Sequence, residues 1–233
     1  KSTLLNALVG TKVSIVTHKA QTTRAMIRGV VTEGAAQIVF IDTPGIFTPK
    51  RRLDRAMVEA AWTGAGDADL VALIVDAERG VTEEVEALVE GLKDVPHPKV
   101  LVLNKIDLLK PEKLLGLAEN LNARLAFERT FMLSALKGSG VKDFLDWAAG
   151  RNPPGPWHFP EDQLTDLTLA LTAAEVTREK LFLRIHDEIP YNATVETEKF
   201  TNYMDGSNRI VQVVDATRDT HNTIVRGADG QTI

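Results

Sequence analysis

The residues Asp42-Thr43-Pro44-Gly45 could hold a metal ion and a phosphate group. They follow Ile38–Ile41, an apolar run rich in β-branched and aromatic side chains that is long enough for a buried strand. A carboxylate where the backbone leaves a strand can hold Mg²⁺ through its water shell, and Gly45, which lacks a Cβ, can bring its N–H close to a phosphate oxygen. The same residues are also typical of an ordinary turn. On its own, this motif leaves both interpretations open.

The first residues, Lys1-Ser2-Thr3, match the second half of a phosphate-binding loop. Leu4, Leu5 and Leu8 follow at helical spacing, and Gly10 stands where a C-terminal cap would end that helix. In the motif G-x-x-x-x-G-K-[ST] the lysine reaches the β- and γ-phosphates and the hydroxyl ligates Mg²⁺. The glycine-rich half does not precede Lys1, so we expect that the sequence is a fragment or omits residues upstream. An ordinary helix start is the simpler interpretation of these residues alone.

Two adjacent threonines lie between this helix and the strand that ends at Asp42. They belong to the polar stretch Lys19–Arg24, with the sequence KAQTTR, which precedes a predicted strand at Ala25–Thr32. Threonines in such a loop are usually solvated. A loop that responds to a metal-bound nucleotide would lie at this position, so we predict that Thr23 ligates Mg²⁺ together with Ser2 and Asp42.

The tetrapeptide Asn104-Lys105-Ile106-Asp107 follows another predicted strand and could recognise a guanine base. The Asp107 carboxylate can accept two hydrogen bonds from adjacent N–H donors, which guanine offers and adenine does not. The Asn104 amide can brace the loop and reach the purine edge, and the Lys105 stem can lie on the ring face. At the next strand end, Ser134-Ala135-Leu136 can offer a backbone N–H to the guanine O6. A surface turn is the alternative, but paired polar contacts at two strand ends favour a base-specific site.

Strand and helix patterns alternate through the first 150 residues. The predicted strands are Ala25–Thr32, Ile38–Ile41, Leu70–Val75, Lys99–Leu103 and Thr130–Leu133, and the predicted helices include Met57–Trp62, Glu83–Leu92, Pro111–Leu125 and Val141–Ala149. This alternation predicts an α/β fold with a mostly parallel sheet covered by helices on both faces. Ligands of such sheets bind at the carboxyl ends of the strands, which is where the DTPG, NKID and SAL motifs fall.

Composition and charge narrow the class of protein. Hydrophobic residues make up 44% and charged residues 25%, and no apolar run reaches 18 residues, so neither a membrane span nor secretion is expected. The lack of cysteine excludes disulfides and disfavours structural zinc. From Arg151 onward there are 8 basic and 13 acidic residues, whereas the first 150 hold 19 of each. The whole net charge of −5 therefore lies in the last third, which disfavours nucleic acid as a partner of that part.

The second part of the chain begins with a proline-rich connection. Arg151–Asp162 holds four prolines, which predicts a stiff, extended linker. A long helical pattern at Leu164–Ile185 is followed by a predicted hairpin of Ala193–Tyr203 and Arg209–Thr217, and by a predicted helix near Thr220–Arg226. The motif Gly227-Ala228-Asp229-Gly230 comes next. A lone G-x-x-G is typically a turn, but after a helix, two strands and a helix it favours a loop that clamps a nucleic-acid backbone.

The motif series as a whole resembles that of a translation-factor-class GTPase. Its members are Lys1-Ser2, Thr23, Asp42-Thr43-Pro44-Gly45, Asn104-Lys105-Ile106-Asp107 and Ser134-Ala135-Leu136. The KAQTTR stretch and the linker string GPWHFPEDQLTD narrow the resemblance to the Era family, bacterial GTPases with a C-terminal KH domain. The resemblance implies a P-loop GTPase domain at residues 1–150 without the first half of its loop, a linker at 151–164, and an α+β type II KH domain at 165–233 that is incomplete at its C-terminus.

The resemblance implies a mechanism for these residues. Lys1 would neutralise phosphate charge, Thr23 and Ser2 would ligate Mg²⁺, and Gly45 would sense the γ-phosphate of GTP, with GDP as the product. Some GTPases orient the attacking water with a glutamine directly after the last residue of this motif, and here that position is Ile46. We therefore expect slow intrinsic hydrolysis. Its rate would be raised by a partner, by a monovalent cation, or by a residue that becomes ordered together with the nucleotide-responsive loop that contains Thr23.

The resemblance also implies partners and a location. These are the small ribosomal subunit and its ribosomal RNA, a cytoplasmic location with peripheral association at the inner face of the cell membrane, and a monomeric state. The carboxylate of Asp229 is negatively charged and would repel the phosphates of RNA, which predicts weakened RNA binding through this loop. Two alternatives stay open: an RNA-binding scaffold that ignores nucleotide because its GTPase domain is not functional, and another GTPase of the same class with a different appended domain.

Overall fold

The computed structural model describes residues 1–19, 22–46, 52–185, 191, 193–216 and 224–225. The chain divides into two compact units. The first comprises Lys1–Val13 and Thr23–Thr165, and the second comprises Ser14–Thr22 and Asp166–Ile233. The short segment Ser14–Thr22 therefore groups with the C-terminal part of the chain, which the sequence did not predict.

The first unit has the predicted α/β alternation. Its elements are α1 (Ser2–Val9), β1 (Ile27–Glu33), β2 (Ala36–Asp42), α2 (Arg52–Gly66), β3 (Val71–Asp76), α3 (Glu83–Leu92), β4 (Lys99–Asn104), a 3₁₀ turn (Ile106–Leu108), α4 (Pro111–Arg124), β5 (Arg129–Leu133) and α5 (Val141–Ala149). Helix α2 begins at Arg52, five residues before the predicted Met57, so part of the basic stretch that precedes it is helical.

The described strands of the first unit form a parallel sheet and a separate hairpin. Strands β3, β4 and β5 pair in parallel in that order, whereas β1 and β2 pair antiparallel. Only Gly34 and Ala35 lie between β1 and β2, and a two-residue connection can join only antiparallel strands. Gly34 has φ +59°, a left-handed conformation that glycine adopts readily at such a turn.

Strand β4 is the centre of the first unit. The four residues Val100–Leu103 within it are each 0% exposed, as expected of a continuous apolar strand covered on both faces. Val100 and Val102 pack with α1 and α5, while Leu101 and Leu103 pack with α3 and α4. This burial holds the carboxyl end of β4, where the NKID motif starts, in a rigid frame.

Helix α1 approaches β1 closely at Gly29. A Cβ built on Gly29 would lie 2.5 Å from Leu5 Cδ1 and 2.7 Å from Val9 Cγ2, both on α1. Only a residue without a side chain lets the helix pack this near the strand. Because α1 begins at Ser2, this contact also positions the first residues of the chain.

Gly29→Val is expected to lower the free energy of unfolding by about 1–3 kcal/mol, the usual range for an overpacked core. The added side chain must push α1 away from β1, and denaturant unfolding measures the loss. Gly116→Val is the matched control, because a Cβ at Gly116 on the exposed face of α4 meets nothing within 4 Å. Equal losses in the two variants would contradict the close approach.

The linker lies along the β1–β2 hairpin within the first unit. The Gln37 side chain donates to Phe159 O (2.8 Å) and accepts from the N–H groups of His158 (2.9 Å) and Phe159 (3.0 Å). Further along, Val30 N–H donates to Leu164 O at 2.9 Å. The linker is thus fixed to the hairpin along much of its length.

The second unit contains α6 (Leu169–Arg184) and a hairpin of β6 (Ala193–Asn202) and β7 (Asn208–Ala216). The predicted helix start at Leu164 is wrong. Thr168 caps α6 by accepting from Leu171 N–H at 3.2 Å, while Leu164 and Thr165 are paired with β1. None of the helices that the structure describes is long and apolar enough to cross a lipid bilayer.

Two predictions in the second unit fall largely outside the described residues. Of the predicted helix Thr220–Arg226 the structure describes only Ile224 and Val225, and both are helical. The loop Gly227-Ala228-Asp229-Gly230 lies wholly outside the described residues.

Candidate functional site

The three predicted Mg²⁺ ligands come together although they are far apart in the sequence. The Ser2 hydroxyl donates to Asp42 Oδ2 at 2.5 Å, and Thr23 Oγ1 lies 3.1 Å from Ser2 Oγ. Because the Ser2 proton points to the carboxylate, the Thr23 hydroxyl can donate to Ser2. Thr23 and Asp42 are both buried. Two hydroxyls and one carboxylate are hard oxygen donors of the kind that Mg²⁺ prefers, so the donor set fits this ion.

Lys1 lies against the DTPG loop. Its ammonium donates to the carbonyl oxygens of Thr43 and Pro44, at 2.7 Å each. The pKa of the Lys1 ammonium is below its ordinary value, because desolvation by the surrounding residues outweighs the attraction of Asp42. The arrangement places a cation beside the end of β2, where Gly45 follows the buried Pro44.

Helix α1 presents its N-terminus at the same place. Lys1 is the N-cap and its carbonyl accepts the Leu5 N–H at 3.0 Å, so Ser2 and Thr3 lie in the first turn. The N–H groups of the first turn have no acceptor within the helix, and the positive end of the helix dipole favours an anion there. Lys1, Ser2 and Thr3 therefore place a positive charge, a candidate metal ligand and the N–H groups of a first helical turn at one helix end.

The Asn104 side chain joins the two loops that were predicted to hold a base. Its Oδ1 accepts from Lys105 N–H at 2.8 Å and from Ala135 N–H at 3.0 Å. Asn104 thus braces the loop after β5 as well as its own loop. The sequence predicted that a backbone N–H of Ser134-Ala135-Leu136 bonds guanine O6. The Ala135 N–H is donated to Asn104 in this structure, so a base would have to share it or use another N–H of the motif.

Asp107 is exposed, and its carboxylate has no hydrogen-bond or ion-pair partner among the described residues. It belongs to the 3₁₀ turn that follows Lys105, a residue with φ +66°. A non-glycine residue in this left-handed region is uncommon and is often found at functional sites. Lys105 Nζ also lies 2.5 Å from Asp76 Oδ2, which fixes the lysine stem between two strand ends. The sequence motifs gave no role to Asp76. Its place at the carboxyl end of β3, where ligands of such sheets bind, could have marked it as part of the site.

The loop after β5 is held by its own hydrogen bonds. Ser134 is buried, its hydroxyl accepts from Lys137 N–H at 3.2 Å, and its carbonyl accepts from Gly138 N–H at 2.8 Å. Leu136 projects outward and is 77% exposed. The predicted base loop is therefore a preformed turn with its apolar member at the surface.

Charged residues of α6 that the sequence did not single out hold the segment Ser14–Thr22. Arg178 Nη1 donates to Thr22 O at 2.7 Å, and Glu179 Oε1 accepts from Val16 N–H at 2.9 Å. Both charged side chains are buried, at 4% and 3% exposed. A charge pattern in the sequence does not reveal this, because charged residues on a helix usually face solvent.

Known proteins are similar to this chain over its whole length. A family model described as 50S ribosome-binding GTPase matches residues 1–105. GTPase Era of Rhizobium meliloti (strain 1021) is 59% identical over 233 residues, which cover 100% of this chain and 74% of that protein. GTPase Era of Brucella melitensis biotype 1 is 58% identical, with 100% and 75% covered.

Two solved structures have a similar fold over nearly the whole chain. One is Era in complex with MgGDPNP and nucleotides 1506–1542 of 16S ribosomal RNA, with a TM-score of 0.92 and 34% identity. The other is a variant of Aquifex aeolicus Era bound to GDP and AlF4⁻, with a TM-score of 0.93 and 34% identity. Each match covers 99% of this chain and 79% of the other.

Proposed function

The chain belongs to the Era family of GTPases, and from this premise we propose that Lys1, Ser2, Thr3, Thr23 and the DTPG loop form its phosphate and Mg²⁺ site. The convergence of the Ser2, Thr23 and Asp42 oxygens beside the Lys1 ammonium carries this proposal. When bound, Mg²⁺ would neutralise charge on the β- and γ-phosphates. The side chains of Ser2 and Thr23 supply direct ligands, and Asp42 orients them and the water shell of the ion.

Removal of Mg²⁺ tests this site. With the full-length protein, excess EDTA is expected to accelerate release of a fluorescent GDP, because the ion ties the nucleotide to Ser2 and Asp42. Stopped-flow fluorescence measures the release rate with and without the chelator. An unchanged rate would contradict the assignment of these oxygens to a metal site.

We propose that Asn104, Lys105, Asp107, Ser134, Ala135 and Leu136 form the guanine site. The Asp107 carboxylate is exposed and pairs with none of the described residues, so it is available to two adjacent N–H donors of the base. Asn104 orders both loops, and the ion pair of Lys105 with Asp76 holds the lysine stem in place for packing on the purine ring. Such a site selects guanine because adenine would leave a desolvated carboxylate without donors.

Hydrolysis by this site is expected to be slow. In this proposal Lys1 and Thr23 stabilise charge on the transferring phosphoryl group, and the Gly45 N–H senses the γ-phosphate. Ile46 occupies the position of the water-orienting glutamine and has no polar atom for a water molecule. Single-turnover phosphate release is expected far below the ~1–100 s⁻¹ of kinases, and a partner or a monovalent cation is expected to raise it. A basal rate in the kinase range would contradict the role given to Ile46.

We further propose that the chain binds the 3′ region of small-subunit ribosomal RNA and acts in maturation of that subunit, with Gly227–Gly230 as the RNA loop. The Era structure described above, which contains nucleotides 1506–1542 of 16S ribosomal RNA and is 34% identical, supports this proposal. In the type II KH domain proposed for residues 165–233, the glycines would let the loop approach phosphates. Asp229 opposes this binding electrostatically.

The RNA proposal predicts that Asp229→Asn tightens binding of a labelled oligonucleotide from the 3′ end of the ribosomal RNA. Fluorescence anisotropy with the GDP and GTP-analogue forms measures the affinity, and a switch predicts different affinities in the two forms. Asp205→Asn, an equal charge change in the exposed β6–β7 turn, is the control. Equal gains in both variants would show only a general effect of charge, and equal affinities in the two nucleotide forms would contradict coupling.

We also propose a cytoplasmic monomer that associates peripherally with the inner face of the cell membrane. Family resemblance supports this location. Cell fractionation at low and high salt tests the membrane association, and sedimentation of the purified protein tests the monomeric state.

A further inference from the structure

Two buried charged side chains on α6 have no place among the nucleotide or RNA motifs. Arg178 and Glu179 are 4% and 3% exposed, and burying charges is unfavourable unless they are paired and hydrogen-bonded. Arg178 forms a bidentate pair with Glu175, with N–O distances of 2.8 and 2.6 Å. Its remaining nitrogen, Nη1, donates to the backbone carbonyl of Thr22 at 2.7 Å. The pair with Glu175 thus fixes the orientation of the guanidinium, and Nη1 donates to the carbonyl of Thr22.

Described residues on either side of this hydrogen bond, in the segment Ser14–Thr22, are also bonded to one another and to α6. Thr22 Oγ1 lies 2.6 Å from Thr17 Oγ1 and donates to Lys19 O at 2.8 Å. The Lys19 ammonium donates to Ile185 O, at the end of α6, at 2.5 Å. With the bond from Val16 to Glu179, three points of the loop are attached to α6 or the residue after it. A displacement of α6 would therefore strain or break the bonds at Val16, Lys19 and Thr22.

The peptide bond from Thr22 to Thr23 links this loop to the Mg²⁺ ligands. A peptide group is planar, so the carbonyl oxygen of Thr22 lies in one rigid plane with the nitrogen and Cα of Thr23. The hydrogen bond from Arg178 therefore constrains the orientation of Thr23 without touching it. Thr23 Oγ1 is in turn 3.1 Å from the Ser2 hydroxyl.

We propose that Arg178 is a positioning residue for Thr23 and so sets the affinity of the site for the γ-phosphate state of the nucleotide. This inference rests on the proposed role of Thr23 as a Mg²⁺ ligand. Switch loops of GTPases are ordered by γ-phosphate and Mg²⁺ contacts and released after hydrolysis, so the effect falls on GTP and spares GDP. Because linkage is reciprocal, a ligand that displaces α6 would weaken GTP binding by the same factor by which GTP opposes that ligand.

The test compares the binding of a non-hydrolysable GTP analogue and of GDP to the full-length protein carrying Arg178→Met. Methionine keeps the unbranched stem beside Phe182 but removes the donors. We expect the Kd of the analogue to rise about tenfold, the Mg²⁺ concentration for half-maximal binding to rise with it, and the Kd of GDP to change less than about twofold. Arg184→Met, the same change at an exposed position in the last turn of α6, is expected to alter neither.

A double-mutant cycle shows whether Arg178 acts through Thr23. If it does, Arg178→Met combined with Thr23→Ala is no worse for analogue binding than Thr23→Ala alone. Arg178→Lys keeps the charge and one directed donor, so it is expected to recover part of the loss. Should the methionine variant fail to fold, as judged by its thermal unfolding, the lysine variant carries the same comparison.

The outcomes separate this inference from the proposed function. Equal losses of GDP and analogue affinity, or additive effects in the cycle, would reduce Arg178 to a structural role and overturn the inference. Loss of analogue affinity in Thr23→Ala but not in Arg178→Met would overturn the inference and leave the Mg²⁺ site intact. No effect of Thr23→Ala would overturn both the ligand assignment and the inference that rests on it.

Discussion

Asp107→Asn is expected to raise the Kd for GDP and GTP by a factor of about 10³ or more, and to create affinity for xanthine nucleotides. The carboxylate accepts two N–H donors of guanine, and an amide presents one acceptor and one donor instead. Xanthine carries a carbonyl in place of the 2-amino group, which an amide N–H can reach. Sites built on paired polar contacts discriminate by factors of this size. Competition against a fluorescent GDP, and direct titration with a fluorescent xanthosine diphosphate, measure the two effects.

The structure makes this substitution a clean test of base recognition. Asp107 is exposed and has no side-chain partner among the described residues, so its replacement disturbs no contact seen there. Asn104, in contrast, bonds to two loops and would disturb both if it were replaced. Asp94→Asn, an equal change at an exposed position after α3, is the control and should leave the affinities unchanged. Unaltered guanine preference in Asp107→Asn would remove this residue from the site.

Ser2→Ala is expected to lower the rate of GTP hydrolysis by roughly 100-fold and to remove most of the Mg²⁺ dependence of nucleotide affinity. Loss of an outer-shell partner of a metal site already weakens metal binding or activity by about 10–100-fold, and Ser2 is proposed as a direct ligand. The substitution also removes the hydrogen bond that the buried Asp42 accepts at 2.5 Å. Single-turnover phosphate release at a series of Mg²⁺ concentrations measures both effects.

Two further variants show whether the effect of Ser2→Ala comes from the loss of a hydroxyl at this position. Ser2→Thr keeps a hydroxyl at the same place and is expected to retain activity, since the motif accepts either residue. Ser207→Ala removes a hydroxyl from the β6–β7 turn and is expected to leave the Mg²⁺ dependence as it was. A Ser2→Ala variant with the original Mg²⁺ dependence would exclude Ser2 as a ligand.

Local sequence signals predicted much of the candidate site. The DTPG, NKID and SAL motifs each directly follow an apolar run, and in an α/β fold the ends of such runs converge. The match of Lys1-Ser2 to a phosphate-binding loop, and the position of Thr23 between that helix and the strand ending at Asp42, predicted that Ser2, Thr23 and Asp42 serve one site, although Ser2 and Asp42 lie 40 residues apart. The sequence also predicted that Asn104 braces its own loop, but not that the same side chain accepts from the Ala135 N–H in the loop after β5.

Contacts that depend on distant parts of the chain could not be predicted in this way. The attachment of Thr22 to Arg178 spans 156 residues, and α6 shows no signal that its charged residues are buried. The start of α6 at Leu169 instead of Leu164 also depends on a distant contact. Leu164 pairs with Val30, and this pairing overrides the helical pattern of the sequence. The close approach at Gly29 depends on how α1 packs, which no single stretch of sequence records.

The most direct test of the account is a titration of the full-length protein with a fluorescent GDP in the presence of Mg²⁺, followed by competition with GTP, GDP and ATP. The convergence of the phosphate, metal and base motifs predicts tight binding that GTP and GDP displace and ATP does not. Equal displacement by ATP would contradict the guanine site at Asp107. No binding of the fluorescent GDP would contradict the nucleotide site as a whole, and RNA binding independent of nucleotide would then be the remaining function.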